Sequence, residues 1–187
     1  MTTVLKTSRL HLRRLSTADA EFILELLNEP AFIQNIGDRG VRTRDEACAY
    51  ISGKLVASYE AYQYGLYLVE SGRGEGPLGI CGFVKRDVLD HPDIGFAFLQ
   101  RFWSRGFAYE SAVAVLDYGR TVLGFDRVFG LTAPGNQSSI RLLERIGLHF
   151  ERMIRLPGAE AESKLFATAA AGVPSQALTA NPAQPRC

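Results

Sequence analysis

Residues 93–112 read DIGFAFLQRFWSRGFAYESA, and this segment carries the strongest structural signal in the chain. Its first part, residues 94–99, has the composition of a buried strand, and the residues after Gly106 have helical spacing. A strand that leads through a tight turn into a helix directs unpaired N–H groups and the positive end of the helix dipole to one point. Because Arg101 and Arg105 add positive charge to this turn, the sequence predicts a site for a phosphate or pyrophosphate.

The same turn resembles the acyl-CoA loop of GNAT-superfamily acyltransferases, which has the pattern Q/R-x-x-G-x-G/A. Arg101 and Gly106 match this pattern, while Ser104 stands where it has its first glycine. A serine can cap the helix, but it limits the backbone freedom that lets a pyrophosphate approach closely. We therefore expect weaker CoA binding rather than loss of the site. The resemblance implies that the following residues contact CoA: Phe98, Leu99, Arg101, Trp103, Ser104, Arg105, Gly106, Phe107 and Ala108.

Two further segments resemble the RimJ/RimL-like branch of this superfamily. Residues 7–20, TSRLHLRRLSTADA, read as a half-buried strand followed by a helix with an acidic first turn. Residues 136–148, NQSSIRLLERIGL, resemble the signature N-x-x-S-x-x-x-L-E-K-x-G-F, in which Asn136 caps a helix and Asn136 and Ser139 match the CoA-binding positions. Because the three signatures occur in the expected order, the resemblance covers residues 7–168.

The hydrophobic patterns and the resemblance together predict one domain over residues 1–168 and a low-complexity tail over residues 169–187. The implied fold is α/β (α+β), with a mixed central sheet of six to seven strands in which two parallel strands splay apart, flanked by about four helices. Residues 31–42 read as irregular, because Pro30 ends the first helix.

Composition narrows the functional classes. The 187 residues are 47% hydrophobic and carry 21 basic and 20 acidic side chains, so we expect neither a nucleic-acid nor a membrane partner. No apolar run reaches the roughly 18 residues of a membrane span, and the first residues lack the apolar core of a signal peptide, which predicts a cytoplasmic protein. The three cysteines and three histidines show no metal-ligand spacing, so we expect no metal. A homodimer is left open.

The resemblance implies an N-acetyltransferase that moves an acetyl group from acetyl-CoA to an amine by direct attack in a ternary complex. By analogy with relatives, the backbone N–H of Phe98 or Leu99 polarises the thioester carbonyl. A carboxylate can accept the proton of the amine directly or through water, and Asp93 is the candidate, with Glu160 and Glu162 as alternatives. Asp93 can equally be a solvated residue at the end of the strand.

The leaving thiol needs little help from an acid. Many relatives carry a tyrosine for this step where Leu143 stands here, so Ser139 or a water would replace it. The resemblance to Rim-type enzymes, in which the serine of N-x-x-S is the proposed acid, makes Ser139 the candidate, although it can equally only cap the helix or bind CoA. The rival interpretation is a non-catalytic acyl-CoA-binding module, which would bind CoA without releasing thiol when an amine is added.

The acceptor is either a protein N-terminal α-amine or a small-molecule amine. Two groups of residues are candidates for selecting it. One group lies in a loop that borders the acceptor entrance in relatives, but this loop can equally have no function and only contact solvent. The other is a set of tyrosines, which more often pack in a core. The loop residues are Phe32, Asn35, Asp38 and Arg39, and the tyrosines are Tyr50, Tyr59, Tyr62, Tyr64 and Tyr67.

Overall fold

The structure is a computed structural model and describes residues 3–169. These residues form one eight-stranded sheet around which the helices pack. The strands are β1 (Thr3–Lys6), β2 (Leu10–Arg13), β3 (Leu66–Ser71), β4 (Pro77–Val84), β5 (Asp93–Phe98), β6 (Phe129–Thr132), β7 (Leu148–Ile154) and β8 (Ser163–Thr168). Their order in the sheet is β1-β2-β3-β4-β5-β6-β8-β7, and only β5 and β6 are parallel neighbours.

The helices confirm most of the predicted pattern. The helical stretch from Arg44 to Tyr62 is continuous but contains a π-helical segment, Ile51–Val56. Short 3₁₀ turns occur at Thr17–Asp19 and Gln100–Phe102. The helices are α1 (Ala20–Asn28), α2 (Pro30–Ile36), α3 (Arg44–Tyr50), α4 (Ala57–Tyr62), α5 (Phe107–Thr121) and α6 (Gln137–Arg145). Helices α3 and α4 flank the π-helical segment.

The mixed sheet with a parallel pair is confirmed, and two details differ from the prediction. The sheet has eight strands because β1 pairs with β2 at its edge. Residues 31–42 are not wholly irregular, because Pro30 begins α2. Proline suits the first position of a helix, where its missing N–H is not needed and its fixed φ fits the helical backbone. The predicted tail lies outside the described residues apart from Ala169.

Helices α5 and α6 cover one face of the sheet. The ring of Phe83 on β4 lies so close to Gly119 of α5 that a Cβ there would be 2.5 Å from it. Likewise, a Cβ on Gly130 of β6 would lie 2.6 Å from Leu143 of α6. Since Ile94 pairs with both Phe83 and Gly130, these residues point to the same face. None of the helices in residues 3–169 is long and apolar enough to cross a membrane.

The tyrosines near the third and fourth helices mainly pack in the core. Tyr59 stacks on Tyr67 with ring centroids 5.8 Å apart, and Tyr64 meets Phe125 edge to face. Tyr59, Tyr64 and Tyr67 are buried, whereas Tyr62 is exposed. For the three buried rings, the packing interpretation is therefore the better one.

Candidate active site

A gap opens between β5 and β6. The two strands pair only at Asp93 with Phe129 and at Ile94 with Gly130, where the Phe129 N–H also donates to the Pro92 carbonyl (2.9 Å). Beyond these two pairs, β5 and β6 are not paired with each other, which agrees with the predicted splaying of the parallel strands. We call the space between residues 95–98 and residues 131–132 the gap.

The register of β5 determines which backbone groups face the gap. In an antiparallel pair, alternate residues bond to the neighbouring strand and those between them point the other way. The Leu99 N–H donates to the Leu78 carbonyl (3.0 Å), so the odd-numbered residues bond to β4. The N–H groups of Phe96 and Phe98 therefore face the gap. The Leu99 N–H is already used within the sheet, so Leu99 is not the donor that polarises the thioester, and Phe98 remains of the two predicted residues.

The turn after β5 has the backbone conformation of a glycine-rich loop. Ser104 has φ 60° and Gly106 has φ 79°, both in the left-handed region. Ser104 thus occupies a conformation that favours glycine, which agrees with its position in the acyl-CoA pattern. The hydrogen bonds within residues 3–169 include none from the N–H groups of Ser104, Arg105 or Gly106. These groups precede α5 and are available to an anion.

Helix α1 and the residue that follows it anchor the first half of this turn. A carboxylate oxygen of Glu29 accepts a hydrogen bond from the Gln100 N–H (2.8 Å), and Glu25 forms an ion pair with Arg101. Phe102 is buried beneath the turn. These contacts hold residues 100–102 in place, and they give Arg101 a carboxylate partner within the protein.

The second half of the turn is held by a cluster of arginines and aromatic rings. Arg105 pairs with Glu75 (2.8 Å), and its guanidinium lies 4.8 Å from the ring centroid of Phe107, the first residue of α5. Arg9 donates to the Arg105 carbonyl (3.0 Å) and pairs with Glu110 (2.6 Å). Because both predicted arginines have acidic partners, the unpaired N–H groups are the main candidates for binding an anion at this turn.

The turn that follows β6 lies at the same edge of the sheet as this loop, since parallel strands end at one edge. The Asn136 side chain accepts a hydrogen bond from the Ser139 N–H (3.1 Å) and so caps α6, as predicted. Leu143 is buried against β6 and presents no hydroxyl. The structure therefore brings Asn136 and Ser139 to the open end of the gap. Their contacts with CoA and the acid role of Ser139 stay predictions.

Asp93 lies at the opposite, closed end of the gap. It is 2% exposed, and its two carboxylate oxygens lie 2.9 and 3.4 Å from nitrogens of Arg86. Burial raises the pKa of the Asp93 carboxyl, and the nearby Arg86 acts in the opposite direction. These contacts give the buried Asp93 a structural role in an ion pair with the partly exposed Arg86, and its role as a base stays a prediction.

The alternative carboxylates, Glu160 and Glu162, are exposed in the segment before β8. Thr132 at the end of β6 pairs with Lys164 near the start of β8, so this segment lies at the open edge of the gap. Two of the candidates for acceptor choice, Asn35 and Asp38, have local partners. The Asn35 side chain donates to the Ala31 carbonyl (2.8 Å), and Asp38 pairs with Arg42 (2.5 Å).

The described residues fit a ligand with an anionic end and an extended arm. The anionic end fits the unpaired N–H groups at residues 104–106, and the arm fits the unpaired strand groups beyond Ile94. Residues 3–169 contain no group of three or more His, Cys, Asp or Glu side chains that could hold a metal. Sequence reasoning missed Phe96, Glu25 and Glu29. Phe96 can be found only once the register is known, and Glu29 and Glu25 lie 71 and 76 residues from their partners in the sequence.

Comparison with known proteins identifies the family. Residues 9–149 match the acetyltransferase (GNAT) domain. The uncharacterized protein YkkB of Bacillus subtilis (strain 168) is 31% identical over 156 residues, which cover 82% of this chain and 89% of YkkB. A Bordetella pertussis protein assigned to the GnaT acetyltransferase family superposes with a TM-score of 0.74 at 28% identity, covering 90% of this chain and 100% of its own.

A RimL structure, described as a ribosomal L7/L12 α-N-protein acetyltransferase in complex with coenzyme A, gives a TM-score of 0.75 at 17% identity. The match covers 89% of this chain and 97% of RimL. At this identity the likeness extends to the fold alone, so membership of the RimJ/RimL branch stays a prediction. The family match covers most of the gap, its loop and the cap of α6. The chain therefore belongs to the GNAT acetyltransferase family and is an acetyl-CoA-dependent acetyltransferase.

Proposed function

We propose that the chain acetylates an amine by direct transfer, with acetyl-CoA and the amine bound at the same time. Acetyl-CoA supplies the activated acetyl group. The observation that carries this proposal is the gap, because its open end meets the unpaired N–H groups of residues 104–106. The gap-facing N–H groups of Phe96 and Phe98 are the candidates for polarising the thioester carbonyl. One such donor contributes about 3 kcal/mol in comparable acyl transfers.

The acceptor in this proposal is an α-amine, such as a protein N-terminus. Only a neutral amine can attack, and an α-amino group with a pKa of about 7.7–8.0 is partly neutral at pH 8. A lysine-like amine with a pKa of about 10.4 needs a base.

The carboxylates that contact β5 and the loop after it already have partners. Asp93 forms an ion pair with Arg86, and Glu25 forms one with Arg101. Glu29 accepts a hydrogen bond from the N–H of Gln100. This arrangement favours an acceptor that loses its proton without a dedicated base. Glu160 and Glu162, exposed at the open edge, remain the carboxylates that could assist through water. Ser139 is the proposed acid, and its part is small because a thiol with a pKa of about 8.5 leaves readily.

The test is a thiol-release assay with acetyl-CoA and three acceptors between pH 7 and 9.5. They are a peptide with a free N-terminus and no lysine, an N-terminally blocked peptide with one lysine, and a polyamine. We expect thiol release at pH 8 to accelerate with the free N-terminus and not with the other two. Acceleration by the lysine peptide or polyamine alone would overturn the α-amine proposal. Release that no amine accelerates would favour the non-catalytic binding module.

Gly106→Asp is the matched control variant for this assay. It places bulk and negative charge where the phosphates are expected, at a residue whose φ of 79° already disfavours a side chain. Acetyl-CoA binding and thiol release should both be lost while the circular dichroism spectrum is retained. Unchanged calorimetric affinity would remove this loop from the site.

A further inference from the structure

Trp103 is the only tryptophan in the chain, and it lies where the loop meets the gap. Its indole N–H donates to the carbonyl oxygen of Phe98 (2.7 Å). Phe98 ends β5 and is an even-numbered residue, so its backbone groups point away from β4 and toward the gap. The indole therefore occupies the last gap-facing carbonyl of the strand. Because Trp103 is 42% exposed, burial does not fix this large ring in place.

An extended ligand arm needs the same carbonyl. An arm that pairs with β5 as an added strand must place its amide N–H groups against carbonyls that face the gap. Beyond Ile94, which still pairs with β6, those carbonyls belong to Phe96 and Phe98. An arm entering from the loop reaches Phe98 first. A carbonyl oxygen has a second lone pair, so competition requires that the indole ring, which donates to the first, also keep the arm from the second.

We propose that Trp103 acts as a latch on the gap. The indole N–H satisfies the Phe98 carbonyl in the free protein and gives it up when the pantetheine arm of an acyl-CoA enters. This inference rests on the proposed acetyl-CoA site and assigns to Trp103 a positioning role rather than a catalytic one.

The loop is built so that the ring can move while its surroundings stay in place. Before Trp103, the Gln100 N–H is held by Glu29 and Phe102 is buried. After it, the Arg105 carbonyl is held by Arg9. Trp103 and Ser104 lie between these anchors. A rotation of the indole away from Phe98 therefore leaves the hydrogen bonds on both sides of the loop intact.

The test compares two variants and two probes by calorimetry. Trp103→Phe keeps a ring and removes the N–H, and Trp103→Leu removes both. The probes are coenzyme A and adenosine 3′,5′-bisphosphate, which has the nucleotide end without the arm. Binding of coenzyme A no longer breaks a hydrogen bond in either variant, so its Kd should fall about 2- to 10-fold relative to wild type. The Kd of the bisphosphate should stay unchanged, because that probe does not reach the gap.

Fluorescence gives a second readout, since all indole emission comes from Trp103. We expect the emission to shift to the red when coenzyme A binds and to keep its wavelength when the bisphosphate binds. Equal or weaker binding of coenzyme A by Trp103→Phe would overturn the latch and leave the acetyl-CoA site standing. Failure of the wild-type protein to bind coenzyme A would overturn the proposed function itself.

Discussion

Replacing Arg86 by methionine should destabilise the protein far more than replacing its partner Asp93 by asparagine. The Asp93 side chain is 3% exposed, whereas that of Arg86 is 35% exposed. Without Arg86, a buried carboxylate loses both of its guanidinium contacts, which typically costs about 3–5 kcal/mol. Without the Asp93 charge, Arg86 can be hydrated, and a neutral asparagine needs no ion partner. We expect a cost of about 1 kcal/mol or less for Asp93→Asn.

The pH dependence of the Arg86→Met variant has a definite sign. Burial raises the pKa of Asp93 above its unfolded value, so the folded state is favoured at low pH and loses stability as pH rises through the folded pKa. Loss of Arg86 removes a contact that opposes this rise. The deficit of Arg86→Met should therefore be largest near pH 7–8 and shrink toward pH 4. Urea unfolding across this range measures it, and the double variant with Asp93→Asn should recover most of the loss.

The same variants decide whether Asp93 is a catalytic base. A structural carboxylate predicts that Asp93→Asn keeps kcat within about threefold of wild type with an α-amine acceptor. A fall of about 10²–10⁴ in kcat at unchanged stability would restore the base role that the sequence suggested. Equal destabilisation by Arg86→Met and Asp93→Asn would refute the burial reasoning.

Three further predictions concern stability and the shape of the site. Ser104→Gly should gain about 0.5–1 kcal/mol in thermal unfolding, because it relieves a left-handed serine at φ 60°, and Ser104→Ala, which keeps a Cβ, should show no gain. Gly79→Ala puts a Cβ against the backbone at the end of β5, so it should weaken acetyl-CoA binding at least tenfold and lower the free energy of unfolding by about 1–3 kcal/mol. Gly82→Ala places its Cβ against the β3 side instead. It should lose as much stability while calorimetry shows nearly wild-type affinity. Asp19→Asn should cost about 3 kcal/mol in urea unfolding at pH 7 and progressively less below pH 4. Burial acts to raise the pKa of Asp19, but hydrogen bonds from Arg13 lower it overall, so the stabilisation is lost as pH falls. Equal costs at pH 7 and pH 3 would contradict this prediction.

The order of the strands and helices could be predicted from the sequence because each of them is marked by residues within its own segment. The apolar run at residues 94–99, the turn after it and the cap at Asn136 each match their observed conformation. Pro30 was misread because proline both ends one helix and begins another. The π-helical segment Ile51–Val56 was missed because a single wide turn leaves the apolar spacing nearly helical.

The site was less predictable because its details depend on contacts between distant parts of the chain. Whether Phe98 or Leu99 directs its N–H into the gap depends on the register of β4 against β5, and a shift of one residue would exchange them. Arg101 was predicted to be free for phosphate, but its partner Glu25 comes from α1. Asp93 follows a polar turn in the sequence, and only the packing shows it to be buried.

The groups proposed to act on the thioester belong to the main chain, which has a consequence for how this enzyme can diverge. Almost any substitution at Phe96 or Phe98 retains the amide, and only proline deletes it. Lineages that descend from this sequence can therefore exchange the side chains at residues 96 and 98 and keep the proposed main-chain donors unchanged. Selection for a new acceptor and preservation of the old reaction would then act on different atoms of the same strand.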